Sequence, residues 1–486
     1  MKKASFEETS APEVTVSAPP ERCVPTPIQV TFDQGTLLIQ AGSADMAPLV
    51  HLVQWDPRAN AFRTQARHYG PILLNLHQRK IPFQDQARQF STRDFRARGE
   101  PPMRPHQQEA LNAWNKQGCK GVVVLPTGAG KSLLARRAMC LVQRDTLILV
   151  PTLDLMHQWY EQLSRVFAQP IGLLGGGDRL VEPITVSTYD SAVIHMERIG
   201  NRFGFLVCDE CHHLPTPSTR LAATLCIAPF RLGLSATPER ADGGEQQLFD
   251  LLGPLCHRTE IPELEGSFLA PYRWEQVAIE LDADEREAYE SSYAHYRQFI
   301  KEQGISLKDP GGWSRFIQIS ARSREGRAAM EAWRVQKRIA RASRSKLRSL
   351  WELLRRHRQE RILIFTDDNA TAYTIGETFF LPVITHRTKV SERKRFMDAF
   401  RSGAWSVMVS SRVLNEGVDV PEVAVGIIVS GTGSVREHVQ RLGRILRPAK
   451  GKQAILYELV SSDTAETFTS ARRRQHLAYQ RQEEAC

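Results

Sequence analysis

The stretch GVVVLPTGAGKSLLARRAM, Gly121 to Met139, decides the fold. It opens as an unbroken apolar run, turns through a glycine-rich loop and continues with helical patterning. Strand, glycine loop, helix is the context a phosphate-binding loop requires. Gly128 and Gly130 let the backbone aim its N–H groups at phosphate oxygens. The helix that follows adds the positive end of its dipole. Thr127, Gly128, Ala129 and Gly130 form the candidate cradle. Lys131 is placed to reach the β- and γ-phosphates of ATP, and Ser132 to hold Mg²⁺. One departure is visible: the general pattern has Gly where Leu125 stands.

Outward from this loop the texture is α/β. Strand-like runs at TLILVP (146–151), ITVSTY (184–189), FLVCDE (205–210) and FRLGLSAT (230–237) alternate with helical patterns. A second series follows at RILIFTDD (361–368), WSVMVSS (405–411), AVGIIVS (424–430) and QAILYEL (453–459). Near-continuous apolar strands belong to parallel sheets covered on both faces. Two such series predict two α/β lobes. Between them, about 284–355, the chain reads as helical and dotted with Tyr289, Tyr293, Tyr296 and Phe299.

Residues 1–27, rich in Pro, Ser, Thr and Glu, read as a disordered tail. IQVTF and TLLIQ, separated by Asp33 to Gly35, then predict a small α+β module reaching about residue 90. At 486 residues the chain is too long for one core. It has no apolar run long enough for a membrane helix and no signal-peptide pattern, so a cytoplasmic protein is expected, nucleoid-associated in a prokaryote. A net charge of +10 suits an anionic partner such as nucleic acid. The eight cysteines are scattered and form no disulfide framework.

The second half of the candidate site is VCDEC, at the end of an apolar strand. Asp209 is placed to hold Mg²⁺ and Glu210 to orient or deprotonate the attacking water. Cys208 to His213 also contains a C-x-x-C and two histidines, which can be read as a zinc site. Such a site normally needs a second ligand pair, and Cys226 and Cys256 are single. Arg444 and Arg447 in QRLGRILR lie three apart, on one face of a helix. From the second lobe they can reach a γ-phosphate held in the first. Between Arg322 and Arg361 stand fourteen Arg or Lys against four Glu. The run is either a solvated helical face or a phosphate-contacting surface. Trp333 and Trp351 within it fit packing better than base stacking. His212 and His213 are candidates to couple Glu210 to the SAT segment, with packing an equal reading for His213.

These segments, in this order, resemble the motifs of superfamily 2 helicases. RPHQ (104–107) resembles the adenine-reading segment, implying that Arg104 and Gln107 hold the base. VPTLDLMHQW (150–159) and STYDS (187–191) resemble strand-contact motifs, implying DNA contacts at Thr152 and Thr188. SAT (235–237) resembles the motif coupling hydrolysis to strand binding, with Thr237 at the strand. LNEGVDVP (414–421) and QRLGRILR (440–447) resemble the last two motifs. They imply nucleotide contacts from Gly417 and Asp419, and catalytic roles for Gln440, Arg444 and Arg447 alongside Lys131, Asp209 and Glu210. Within the superfamily the chain resembles the XPB helicases, especially their short archaeal and bacterial forms. HHLPTPS (212–218), IAPFRLGLSATPER (227–240) and WDPRANAFRTQARHYGPILLNL (55–76) carry that likeness.

The resemblance implies two RecA-like parallel-sheet lobes, a helical thumb insertion and a small N-terminal α+β module. Expected bounds are 28–92 for a DNA-interaction module resembling a damage-recognition domain, and 93–262 for lobe 1. Lobe 2 is expected at 263–462 with its thumb at about 284–345, and a helical tail at 463–486. It implies an ATP- and Mg²⁺-dependent 3′ to 5′ motor on single-stranded DNA and duplex junctions, monomeric by default, with a nuclease or repair protein as a plausible partner. One departure matters. The family's Arg-Glu-Asp element is here Arg240-Ala241-Asp242. Arg240 and Asp242 stay candidate DNA contacts, and translocation without efficient unwinding stays open. So do two other readings: an RNA helicase, and an ATP-gated DNA clamp that recruits a nuclease.

Overall fold

A computed structural model describes residues 27–40, 49–239, 243–264, 268, 271–307, 309, 311–411, 423–431 and 454–473. Arg240, Asp242, Gly417, Asp419, Gln440, Arg444 and Arg447 lie outside the described residues. The fold is α/β, with three sheets among the described residues.

The N-terminal sheet has five strands, in the spatial order Gln54–Asp56, Ala61–Gln65, Thr36–Gln40, Ile28–Asp33 and Phe83–Asp85. Alternate residues point to one face, so Ile28, Val30, Leu37 and Ile39 are buried together. The helix Tyr69–Gln78 covers that face with Ile72 and Leu76.

The lobe 1 sheet has eight strands, in the order Leu255–Arg258, Lys120–Val124, Phe230–Ser235, Phe205–Asp209, Thr146–Val150, Ile184–Thr188, Ile171–Gly175 and Asp178–Leu180. The pairings are parallel except the last, which is antiparallel. Its strands explain their own unbroken hydrophobicity. Val123, Ile148, Val150, Phe205 and Val207 fill the core on one face. Their neighbours Val122, Leu147, Leu149, Leu206 and Cys208 fill the core on the other. A strand covered on both sides favours apolar residues, and the polar ones kept here, Thr185, Ser187 and Arg231, are buried and hydrogen-bonded.

Lobe 2 repeats the logic in six strands joined by parallel pairings. Their order is Tyr272–Ile279, Ala454–Ser461, Val425–Ile428, Ile362–Phe365, Val407–Ser410 and Val383–Ile384. Ile362 and Ile364 face one core, Leu363 and Phe365 the other. The two lobes also touch through polar groups. Arg393 of the helix Val390–Ser402 pairs with Asp154 of the helix Leu153–Val166.

Within lobe 2, between the strands Tyr272–Ile279 and Ile362–Phe365, the chain is helical: Ala283–Glu302, Gly312–Ser320, Arg324–Ala342 and Arg344–Arg356. The structure divides its basic run. Arg341 pairs with Asp367 and Asp368, Arg344 with Asp284, and Arg348 with Asp282. Lys346 is wholly buried, donating to the Ala340 and Val429 carbonyls at 2.8 and 3.0 Å and to Glu466 Oε2 at 2.6 Å. Arg344 and Arg348 tie these helices to one another, while Arg341 and Lys346 tie them to the ends of lobe 2 strands. Trp333 is half-buried against Trp313, at 4.6 Å between ring centroids, whereas Trp351 stays half exposed.

Candidate nucleotide site

In parallel α/β sheets, ligands bind beyond the carboxyl ends of the strands. The described candidates of lobe 1 collect there. The phosphate-type loop follows Lys120–Val124, Thr152 follows Thr146–Val150, and Thr188 ends Ile184–Thr188. Asp209 ends Phe205–Asp209, and Ser235 ends Phe230–Ser235 just before Thr237.

The loop has the backbone its glycines were chosen for. Gly128 and Gly130 sit at φ +87° and +89°, a left-handed conformation that side-chain-bearing residues adopt only under strain. Gly130 also has no room for a Cβ, which would come 2.1 Å from Gln107 Nε2. The helix Lys131–Val142 begins at once, with Ser132 in its first turn. Lys131 Nζ is buried and lies 3.4 Å from Glu210 Oε1. It has no hydrogen-bond partner among the described residues, nor has the buried Thr127 Oγ1. An ammonium with three donors and a glycine-bearing loop at the start of a helix fit a polyphosphate.

Gln107 is buried and already engaged. Its Oε1 accepts from Arg104 N at 2.9 Å and its Nε2 donates to the Ala129 carbonyl at 2.8 Å. Reading an adenine therefore falls to the amide's remaining hydrogen and lone pair. Arg104 spends its guanidinium on Phe268, 5.4 Å from the ring centroid, and donates to the Phe268 carbonyl at 3.5 Å.

Asp209 and Glu210 are both buried. Burial first, and then the adjacent Glu210, push the Asp209 carboxyl well above its usual range, while Lys131 draws it back. A divalent cation would relieve this arrangement by countering the charge of the two carboxylates. Glu210 holds φ +47°, ψ +52°, a conformation rare outside glycine and typical of strained functional positions. Its Oε2 lies 3.6 Å from His212 Nδ1, and that nitrogen is 3.2 Å from Ser235 Oγ. Ser235 Oγ in turn accepts from Thr237 N at 3.1 Å. The Glu210 carboxylate thus lies beside His212, whose ring is hydrogen-bonded to the SAT loop. The His213 ring lies against His212 at a tilt of 37°, with 4.3 Å between centroids.

Two groups at this site escape a motif-by-motif reading. Trp159 Nε1 donates to Asp209 Oδ2 at 2.8 Å, and Tyr189 Oη donates to the Asp209 carbonyl at 2.9 Å. Trp159 stands two turns into the helix that Thr152 caps, and Tyr189 directly follows Thr188, which caps the next. Both threonine hydroxyls accept from the backbone of their own helices, Leu155 N and Ser191 N. Thr188 is buried, and its hydroxyl is engaged with Ser191. The signal for Trp159 was its place on the apolar face of that helix, a place shared by ordinary core residues.

Trp159→Phe removes one donor from Asp209 and keeps most of the ring. Loss of a group supporting a metal ligand typically weakens metal affinity about 10–100-fold. The expected result is a Mg²⁺ requirement for ATP turnover raised to that extent, read by titrating Mg²⁺ at fixed ATP, with thermal unfolding near that of the parent.

Among the described residues, no group of three or more His, Cys, Asp or Glu is placed to share a metal ion, and no helix is long and apolar enough to cross a membrane. Cys208, Cys211 and Cys226 are buried.

Comparisons with known proteins now bear on this geometry. Residues 30–87 match the family described as Xeroderma pigmentosum group B helicase damage recognition domain. Residues 100–240 match Type III restriction enzyme, res subunit, and 316–483 match ERCC3/RAD25/XPB C-terminal helicase. The chain is 40% identical over 373 residues to the DNA 3′-5′ translocase XPB2 of Sulfurisphaera tokodaii, covering 77% of this chain and 84% of that protein. It is 32% identical to the DNA 3′-5′ helicase XPB of Mycobacterium tuberculosis, covering 78% of this chain and 64% of that one. The helicase domain of Pyrococcus furiosus Hef shares the fold with a TM-score of 0.51 at 19% identity, over 76% of this chain and 98% of that domain.

Proposed function

The chain belongs to the XPB family of DNA helicases, and on that premise we propose that it is an ATP-driven motor moving 3′ to 5′ on DNA. The observation that carries the reading is the cluster of Lys131, Asp209 and Glu210, joined through Trp159 and Tyr189 to the helices that start at Thr152 and Thr188. Hydrolysis chemistry and strand-facing helices share one set of hydrogen bonds.

When bound, Mg²⁺–ATP supplies a polarised γ-phosphoryl group. Thr127, Gly128, Ala129 and Gly130 cradle the phosphates and Lys131 neutralises them. Ser132 and Asp209 hold the cation, and Glu210 orients the water and takes its proton. Gln107, with Arg104 behind it, selects the base. Gly417, Asp419, Gln440, Arg444 and Arg447 complete the site from lobe 2 when the lobes close. Thr152, Thr188, Thr237, Arg240 and Asp242 mark the DNA track, and His212 carries its state to Glu210. Backbone contacts of this kind give little sequence preference and strong salt dependence. We keep the division into an N-terminal DNA-interaction module, two lobes, a thumb at about 284–345 and a C-terminal tail as part of this reading. The match of residues 30–87 favours a repair setting.

ATP turnover with DNA and RNA oligomers, and strand displacement on 3′- and 5′-tailed duplexes, test the proposal. The expected result is stimulation by DNA and movement from 3′ tails alone. Stimulation by RNA only would refute the substrate class. Turnover no higher than that of Lys131→Ala would refute the motor and leave a clamp.

A further inference from the structure

At the lobe 2 pole opposite the motor face lie two adjoining clefts. Lobe 2 strands are parallel, so their starts share one pole and their ends the other. Thr366, Ser411 and Ser430 follow strands, on the side of the nucleotide. The clefts are lined by residues that precede strands: Arg358 before Ile362–Phe365, Leu381 and Pro382 before Val383–Ile384, and Trp405 and Ser406 before Val407–Ser410.

One cleft, of about 600 Å³, is walled by Trp351 and by Arg355, Arg356 and Arg358, with Glu352 as its one acidic residue. The other, of about 430 Å³, is walled by Phe380, Phe396 and Trp405. Leu381, Ser406 and Val407 line both. Trp351 is 50% exposed and Phe380 is 94% exposed. Phe380 also holds φ +54° without being glycine, a strained backbone that presents its ring to solvent. The three arginines are exposed and make no ion pair among the described residues. Arg341, Arg344 and Arg348, earlier in the same basic run, all do.

We propose that this pole docks a segment of a partner protein carrying Asp or Glu residues beside a bulky apolar side chain. The apolar anchor enters the Phe396–Trp405 cleft, and the carboxylates meet Arg355, Arg356 and Arg358, whose forked guanidiniums suit them. Aromatic and arginine anchors are what concentrates binding energy at protein interfaces. Nucleic acid fits less well. The rings pair with one another, Trp351 on Phe379 at 5.7 Å and Phe396 on Trp405 at 5.2 Å, rather than standing in a row for successive bases. The clefts also face away from the proposed strand contacts.

The test is panning of a phage-displayed random peptide library on the full-length protein, followed by fluorescence anisotropy with a labelled synthetic copy of an enriched peptide. Enriched peptides are expected to place acidic residues next to Leu, Phe or Trp. Arg355→Glu/Arg358→Glu and, separately, Phe380→Ser are expected to weaken binding about tenfold or more, with DNA-stimulated ATP turnover unchanged as proof of folding. Four results overturn the proposal: no enrichment, peptides without acidic residues, affinity unmoved by both variants, or displacement of the peptide by an excess of single-stranded oligonucleotide. A change in the sedimentation of the chain alone on mutation would also overturn it, by making the surface a contact between copies.

Discussion

Arg444→Ala is expected to lower DNA-stimulated ATP turnover by about 10³–10⁵-fold while nucleotide binding persists, the scale on which arginine fingers act. The reason is electrostatic. Lobe 1 supplies one described cation to the phosphates, Lys131, and that cation also faces Glu210. Charge developing on the transferred phosphoryl group needs donors that arrive from elsewhere. Arg444 and Arg447 stand three apart in the sequence and, in the proposed motor, reach the phosphates from the second lobe. A group contributing only after closure lowers kcat and leaves binding of a nucleotide analogue almost unchanged. Fluorescent-nucleotide binding beside steady-state turnover checks this. Parallel loss of affinity and turnover would mean that Arg444 holds the ground state instead.

Lys131→Ala is the second large effect. Removing one preorganised charge from a transition state costs about 10²–10³-fold in rate. Here the loss extends further, because Lys131 also counters the upward push of burial and Glu210 on the Asp209 carboxyl. The variant therefore weakens the metal site along with the phosphate site, and added Mg²⁺ is expected to recover part of the rate. DNA binding without nucleotide is expected to stay, since the helices starting at Thr152 and Thr188 are capped by those threonine hydroxyls and not through Lys131. Turnover with and without Mg²⁺ supplementation, beside DNA binding by anisotropy, measures all three. Unchanged turnover would remove the phosphate loop from the chemistry.

The sheets were legible in the sequence because burial on both faces makes the strands near-continuously apolar. Val122 and Val123 point into opposite cores, as do Leu147 and Ile148. Edge strands were not legible by that signal. Tyr272–Ile279 carries Arg273, Glu275 and Gln276, and Asp178–Leu180 is fully exposed. The loop and the acidic pair were legible because glycine and adjacent carboxylates are chemically narrow choices. What holds them was not. Trp159 meets Asp209 fifty positions away, and a tryptophan on an apolar helix face gives no sign of what its N–H will meet. Gln107 was read as a base contact, but the sequence could not show that both ends of its amide are already bonded within the loop and its cap. The basic run misled in a related way. Sequence counts charges, while the partners Asp282, Asp284, Asp367, Asp368 and Glu466 arrive from distant segments.

The most direct test is a structure of the protein on a 3′-tailed duplex with Mg²⁺ and an ADP–aluminium fluoride mimic of the transferring phosphoryl group. The expected result is closed lobes with the guanidinium of Arg444 or Arg447 at about 3 Å from the fluoride ligands, opposite Lys131. Closed lobes on DNA with both guanidiniums turned to solvent would contradict the account.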